Sequence, residues 1–177
     1  MNRDDSSWKR EPGNLYSKTQ EVTIEKSAGP IEIKLTQVVK GSAKPSGNGV
    51  EFIEVKSDLL STFRGREVKL CASIVVPQGF DEKSKRKYPA VYEIPGFGGD
   101  HSDVRRAAMM RRNSGASGEL LRNCFWIELN PEGPNGHHLF ANSDNNGPVG
   151  DALVKELIPA IEALHTRSGA SPSARWP

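Results

Sequence analysis

The stretch Ile94-Pro95-Gly96-Phe97-Gly98-Gly99-Asp100-His101 is where this sequence is best able to do chemistry with its backbone. An apolar run leads into it, and Gly96, Gly98 and Gly99 follow in close order. Glycine has no Cβ, so the chain can turn sharply there and a ligand can approach the backbone. N–H groups freed at such a turn point into one concavity, the arrangement that stabilises an oxyanion. Phe97 and Gly98 are the expected donors. A plain strand-to-helix turn accounts for the same residues. The stretch is not a nucleotide loop, because it lacks both a GK[ST] ending and GxGxxG spacing. Asp100 and His101 are adjacent in sequence, and neighbours rarely face each other productively. His101 is therefore expected to be a loop residue near the site.

The second candidate is the loop from Gly136 to Pro148, GHHLFANSDNNGP. It follows an apolar strand pattern, and open α/β sheets bind ligands beyond the C-terminal ends of their strands. His137, His138 and Asn145 are the expected substrate contacts, and a self-bonded structural loop is the alternative. Adjacent histidines diverge in extended chain and chelate one metal poorly, so no metal is expected here. Cys71 and Cys124 are too few for a disulfide framework or a zinc site. Both fall in strand patterns and are expected to be reduced core residues. Nothing in the sequence calls for a cofactor. His165, at the end of a helical pattern, is favoured by the helix dipole.

The elements that must carry these residues follow from periodicity. Val22–Glu25, Ile31–Leu35 and Val50–Val55 alternate as half-buried antiparallel strands do. Ser61–Arg66 reads as a turn leading into a strand over Glu67–Val76. After Pro77 the character changes. Tyr88–Ile94 and Cys124–Leu129 are short apolar runs, suited to strands covered on both faces. Helical pieces are expected at Val104–Arg112 and around Glu119–Leu121. A longer helix from Asp151, its N-cap, to Leu164 should bend at Pro159. Antiparallel strands followed by strand, helix, strand, helix predict an α/β sheet that opens with an antiparallel section. Residues 1–20 read as a polar tail, 21–165 as the domain and 166–177 as an irregular Ser/Ala/Pro tail.

With 177 residues the chain suits one domain. A net charge of +2 excludes electrostatic binding to nucleic acid or to a membrane surface as an expectation. The basic run Lys83–Lys87 has no aromatic residue interleaved with it and reads as a solvated loop. No apolar stretch approaches the ~20 residues of a membrane span, and the N-terminus has no apolar signal core, so a cytoplasmic location is the default. The sequence sets no oligomeric state.

Three segments carry a resemblance: Ser57-Asp58-Leu59-Leu60-Ser61-Thr62-Phe63-Arg64-Gly65-Arg66, Val75-Val76-Pro77-Gln78-Gly79-Phe80, and Lys87-Tyr88-Pro89-Ala90-Val91-Tyr92. Together they resemble the opening of esterases of the α/β-hydrolase fold, the group that includes esterase D and the enterochelin-esterase-like proteins. Pro95–Gly99 stands where that family has its oxyanion turn. The segment from Gly136 to Pro159 looks like the loop and helix before the nucleophile elbow. The resemblance covers roughly residues 10–165. It implies a serine acyl-enzyme route with a small-molecule ester as substrate. No G-x-S-x-G occurs in the sequence. The expected architecture is therefore a partial α/β-hydrolase sheet, truncated before the nucleophile elbow and lacking the triad serine and histidine, so that the chain alone is inactive. The alternative expectation is a non-catalytic module that binds a small polar ligand, such as a sugar, through the His137–Asn146 loop.

Overall fold

The computed structural model describes residues 13–24, 29–40, 44–81, 83 and 86–166. Most of the expected N-terminal tail and almost all of the C-terminal one therefore lie outside the described residues. The centre is a four-stranded mixed sheet built from β3 (Val50–Lys56), β4 (Lys69–Val75), β5 (Ala90–Glu93) and β6 (Phe125–Leu129). Its spatial order is β3-β4-β6-β5, so the third strand in the chain lies at one end and the fourth lies inside. β3, β4 and β6 run antiparallel in turn, and β5 lies parallel to β6. This is an α/β sheet with an antiparallel opening.

Helices cover both faces. Alternation along β4 sends Leu70, Ala72 and Ile74 to one side, where they meet Phe125, Ile127 and Leu129 of β6. Val149, Ala152, Leu157 and Ile161 of the C-terminal helical segment close that core. The segment begins as α4 (Val149–Ala152), widens into a π turn over Leu153–Leu157 and ends as α5 (Ile158–Thr166). The π turn stands just before Pro159. Proline has no N–H and crowds the carbonyl four residues back, that of Lys155; the wider turn gives this carbonyl room. On the opposite face, Val75 packs with Val104 and Ala107 of α2 (Val104–Met110) and Leu121 of α3 (Ala116–Asn123). These two helices form the crossover that a parallel β5–β6 pair requires.

Three sequence expectations are corrected. Val22–Ile24 and Ile31–Leu35 form no strand, and Glu25 lies outside the described residues. Their alternation has no covering layer to face: Ile24 is 85% exposed. The pairing near them is a two-residue ladder between β1 (Leu15–Tyr16) and β2 (Gln37–Val38). Residues read as a turn from Ser61 belong to a helix, α1 (Asp58–Arg64). Ser57 caps it by accepting from the Leu60 N–H at 3.1 Å, and Gly65 ends it in the left-handed conformation at φ 64°. Burial of Leu60 and a bond from Leu59 N–H to Glu156 Oε1 at 2.9 Å tie α1 to the C-terminal helical segment. Finally, Asp151 is not the N-cap of that segment. The helix starts at Val149, and Asn142 Oδ1 accepts from both Gly150 N–H (2.8 Å) and Asp151 N–H (3.2 Å). The loop thus supplies the cap from outside the helix.

Among the described residues no helix is long and apolar enough to cross a membrane. Of the basic run, Arg86 donates to Asn123 Oδ1 at 3.1 Å and lies over the Tyr88 ring.

Candidate functional site

β5 stops at Glu93 because the residues after it cannot continue a ladder: Pro95 has no N–H to give. Gly99 N–H bonds Gly96 O at 2.8 Å and closes a four-residue turn. Gly98 takes φ 78° while Phe97 keeps a negative φ, the signature of a type II turn, which needs glycine at its third position. Gly99 is fixed by space. A Cβ there would lie 2.7 Å from Asp103 Oδ2 and 2.8 Å from Pro95 Cβ. Asp100 Oδ1 then accepts from Ser102 N–H at 2.7 Å and starts the 3-10 turn His101–Asp103, which runs into α2. Neither the Phe97 N–H nor the Gly98 N–H has an acceptor among the described residues. Both leave a turn at the C-terminal end of a parallel strand, and Phe97 is 94% exposed.

His137 is brought to this turn. It lies in β8 (Gly136–His137), which forms a hairpin with β7 (Glu132–Gly133) inside the long loop. Its Nε2 donates to Pro95 O at 2.8 Å, and its ring centroid lies 6.3 Å from that of Phe97. The hairpin therefore braces the turn from the side, holding the carbonyl just before the two free N–H groups.

His138 is not brought there. Its side chain is buried on the other side of the hairpin, in a pocket shared with Leu60, Arg64 and Glu132. Its Nδ1 accepts from the Phe140 N–H at 3.1 Å, and the two rings meet edge to face. Burial, then the neighbouring His137 and Arg64, lower its pKa to about 4. It is a neutral structural acceptor rather than a substrate contact. Leu139 and Phe140, at φ 50° and 53°, form the tight left-handed bend that it stabilises.

Asn145 is exposed, and its carbonyl accepts from Asn135 Nδ2 at 2.9 Å. Ser143 and Gly147 exchange backbone bonds, and Asn146 N–H donates to Ser143 Oγ. With Asn142 engaged at the helix start, much of the loop's polar capacity is spent within the loop.

His101 faces the sheet. Its Nδ1 lies 3.8 Å from Cys71 Sγ, and its ring stacks obliquely on Phe52 at 5.2 Å. Asn130 Nδ2 donates to the same sulfur at 3.5 Å. Cysteine, histidine and asparagine in contact suggest a thiol nucleophile, but desolvation pushes the Cys71 thiol up to about 11. A neutral thiol in a packed sheet is unreactive. Cys124, buried and free, has its thiol pushed up to about 11 by burial alone.

Sequence reasoning missed one feature near the same sheet end. Glu93 and Glu128 are register partners on β5 and β6, so their side chains leave the same face side by side. A single charged residue inside each of two apolar runs, VYEI and FWIEL, is the signal that could have found them. Glu128 is 2% exposed, and burial together with the Glu93 carboxylate raises its pKa to about 7.

Compared with protein-family models and with curated proteins, the chain matches none of them. Among the described residues no group of three histidine, cysteine or acidic side chains is arranged to hold a metal ion.

Proposed function

We propose that this chain is the N-terminal part of an esterase-type α/β-hydrolase and contributes the oxyanion turn of a carboxylic-ester hydrolase. The observation that carries the reading is the pair of unengaged N–H groups at Phe97 and Gly98. They sit in a glycine turn after the third strand of the main sheet, directly before a helix. In α/β-hydrolases the loop between the third strand and the first helix gives one oxyanion donor, and the residue after the nucleophile gives the other. Two further features support the reading. β5 is the end strand of the described sheet, so its outer ladder is open to a strand that would bring the nucleophile. His137, bonded to Pro95 O, holds the turn in place before any substrate arrives.

On this reading the attacked ester carbonyl lies above the turn. Its oxygen accepts from the Phe97 N–H as charge develops, with the Gly98 N–H beside it, and Phe97 offers an apolar wall to the acyl or alcohol group. The serine, the acid and the catalytic histidine come from outside residues 1–177.

Phe97→Pro tests the reading. Proline is favoured at the second position of a type II turn and has no N–H, so the turn persists while the donor is lost. Residues 1–177 alone should not hydrolyse p-nitrophenyl butyrate above the buffer rate and should take up no fluorophosphonate. A longer product that also carries the serine, the acid and the catalytic histidine should turn the ester over, and Phe97→Pro should lower its kcat about 10²–10³-fold. Fluorophosphonate-sensitive turnover by residues 1–177, or a Phe97→Pro enzyme as fast as its parent, would overturn the proposal.

A further inference from the structure

The sheet face under α2 and α3 carries a second pocket, of about 330 Å³, at the same end of the sheet as the glycine turn. Its floor is the register pair Glu93 and Glu128, and Asp103 reaches it from the end of the 3-10 turn. Glu128 is 2% exposed. Its Oε2 accepts from Trp126 Nε1 at 3.3 Å, and its Oε1 meets no donor among the described residues. A buried carboxylate oxygen without a donor costs stability unless something binds it.

The walls decide what that is. Met110 and Leu120 are partly exposed, and with Trp126 they form an apolar mouth around the acidic floor. The one cation at the pocket, Arg106 on α2, makes no ion pair or hydrogen bond among the described residues. Three carboxylates against one guanidinium leave the pocket negative. A hard divalent cation prefers a shell of oxygens and waters, which apolar walls oppose. The described residues also include no cluster arranged to hold a metal.

We infer that this pocket binds an organic primary ammonium group carrying a short apolar arm. The ammonium donates to Glu128 Oε1 and to Glu93, its charge lies near the Trp126 ring, and the arm lies against Met110 and Leu120. This site does not depend on ester hydrolysis, and its test does not involve that reaction. The charged groups facing Glu128 are Glu93 from β5, Asp103 from the 3-10 turn and Arg106 from α2. Burial and the Glu93 carboxylate favour the protonated form of Glu128, so a cation that enters expels that proton.

Benzylammonium is the probe, titrated calorimetrically into residues 1–177 at pH 8 and pH 5.5, with benzoate and Mg²⁺ as controls. Benzylammonium should bind at least tenfold more tightly at pH 8. Near pH 7 the heat should vary with the buffer's ionisation enthalpy, which reports the released proton. Glu128→Gln should weaken binding at least tenfold with the far-ultraviolet spectrum unchanged. Leu120→Trp, which fills the mouth from a half-exposed position and leaves the carboxylates alone, should do the same. The inference fails if benzylammonium gives no saturable heat at pH 8 or if benzoate binds as well. It also fails if equimolar Mg²⁺ displaces benzylammonium, or if both variants bind like the parent.

Discussion

Replacing Glu128 by Gln should make the protein more stable at alkaline pH and leave it nearly unchanged in acid. The side chain is 2% exposed, so solvent screens it little. Its pKa rises from 4.5 to about 7, first because burial disfavours the charged form and next because the Glu93 carboxylate repels it. A raised carboxylate pKa means that the fold binds the proton more tightly than the unfolded chain does. The stability this contributes is complete below pH 4.5 and is lost as pH rises to about 7. At roughly 1.4 kcal/mol per pH unit, the loss is about 3 kcal/mol. Glutamine matches the neutral acid in shape, still accepts from Trp126 and never ionises. Urea unfolding of both proteins should therefore show a gap of about 3 kcal/mol at pH 8 that closes by pH 4.5. In a thermal scan at pH 8 the variant should melt about 6–12 °C higher. Comparing the two proteins at each pH removes the contributions of other groups. A gap that stays constant from pH 4.5 to pH 8 would show that Glu128 is not desolvated as described.

His138 should produce the opposite trend. Its lowered pKa keeps it neutral in the fold, so stability falls as pH drops from 6.5 towards 4. His138→Asn keeps an acceptor for the Phe140 N–H, and the acid-side loss of about 3 kcal/mol should vanish from its pH–stability curve. In the parent chain this trend and that of Glu128 offset each other between about pH 4.5 and 6.5, so the His138 limb is read most clearly in Glu128→Gln. Gly118→Ala tests packing. Alanine in a helix interior is normally better than glycine by about 1 kcal/mol, but a Cβ at Gly118 would lie 2.0 Å from Asn113 O. The clash should prevail, with a net loss of about 1–3 kcal/mol in urea unfolding.

The sequence made strands β5 and β6 legible, because Tyr88–Ile94 and Cys124–Leu129 are apolar on consecutive positions; only β6 is covered on both faces, since β5 ends the described sheet, is half-buried along its length, and leaves Ile94 41% exposed. The glycine turn was legible for a similar reason: Gly98 and Gly99 each answer a local steric demand, one conformational and one spatial. The alternation at Ile31–Leu35 misled because a period of two describes a surface that could be half-buried, and burial requires a partner elsewhere in the chain. Helix α1 was hidden by its shortness. Seven residues show too little periodicity, and only the Ser57 cap and the Gly65 stop mark its ends. His138 was misread because adjacent histidines look alike in sequence, whereas a β-hairpin sends neighbours to opposite sides. One meets Pro95 and the other is buried against Phe140.

The carboxylate pair shows why a site can be invisible in sequence and yet follow from the fold. Glu93 and Glu128 are distant in the chain, and each alone is an acid in an apolar run. Only the parallel register, Glu93 opposite Glu128 and Val91 opposite Trp126, puts two acids and an indole on one patch. A slip of one residue would send Glu128 into the core formed by Phe125, Ile127 and Leu129. There its charge would face the packed side chains of the C-terminal helices, and Trp126, two residues away on the same face, would be carried into that core with it. The register that buries the apolar residues of β6 on one face is therefore the register that gathers the acids on the other. The hydrophobic pattern and the carboxylate pocket thus share one cause, and a substitution that loosened the β5–β6 ladder would disturb both.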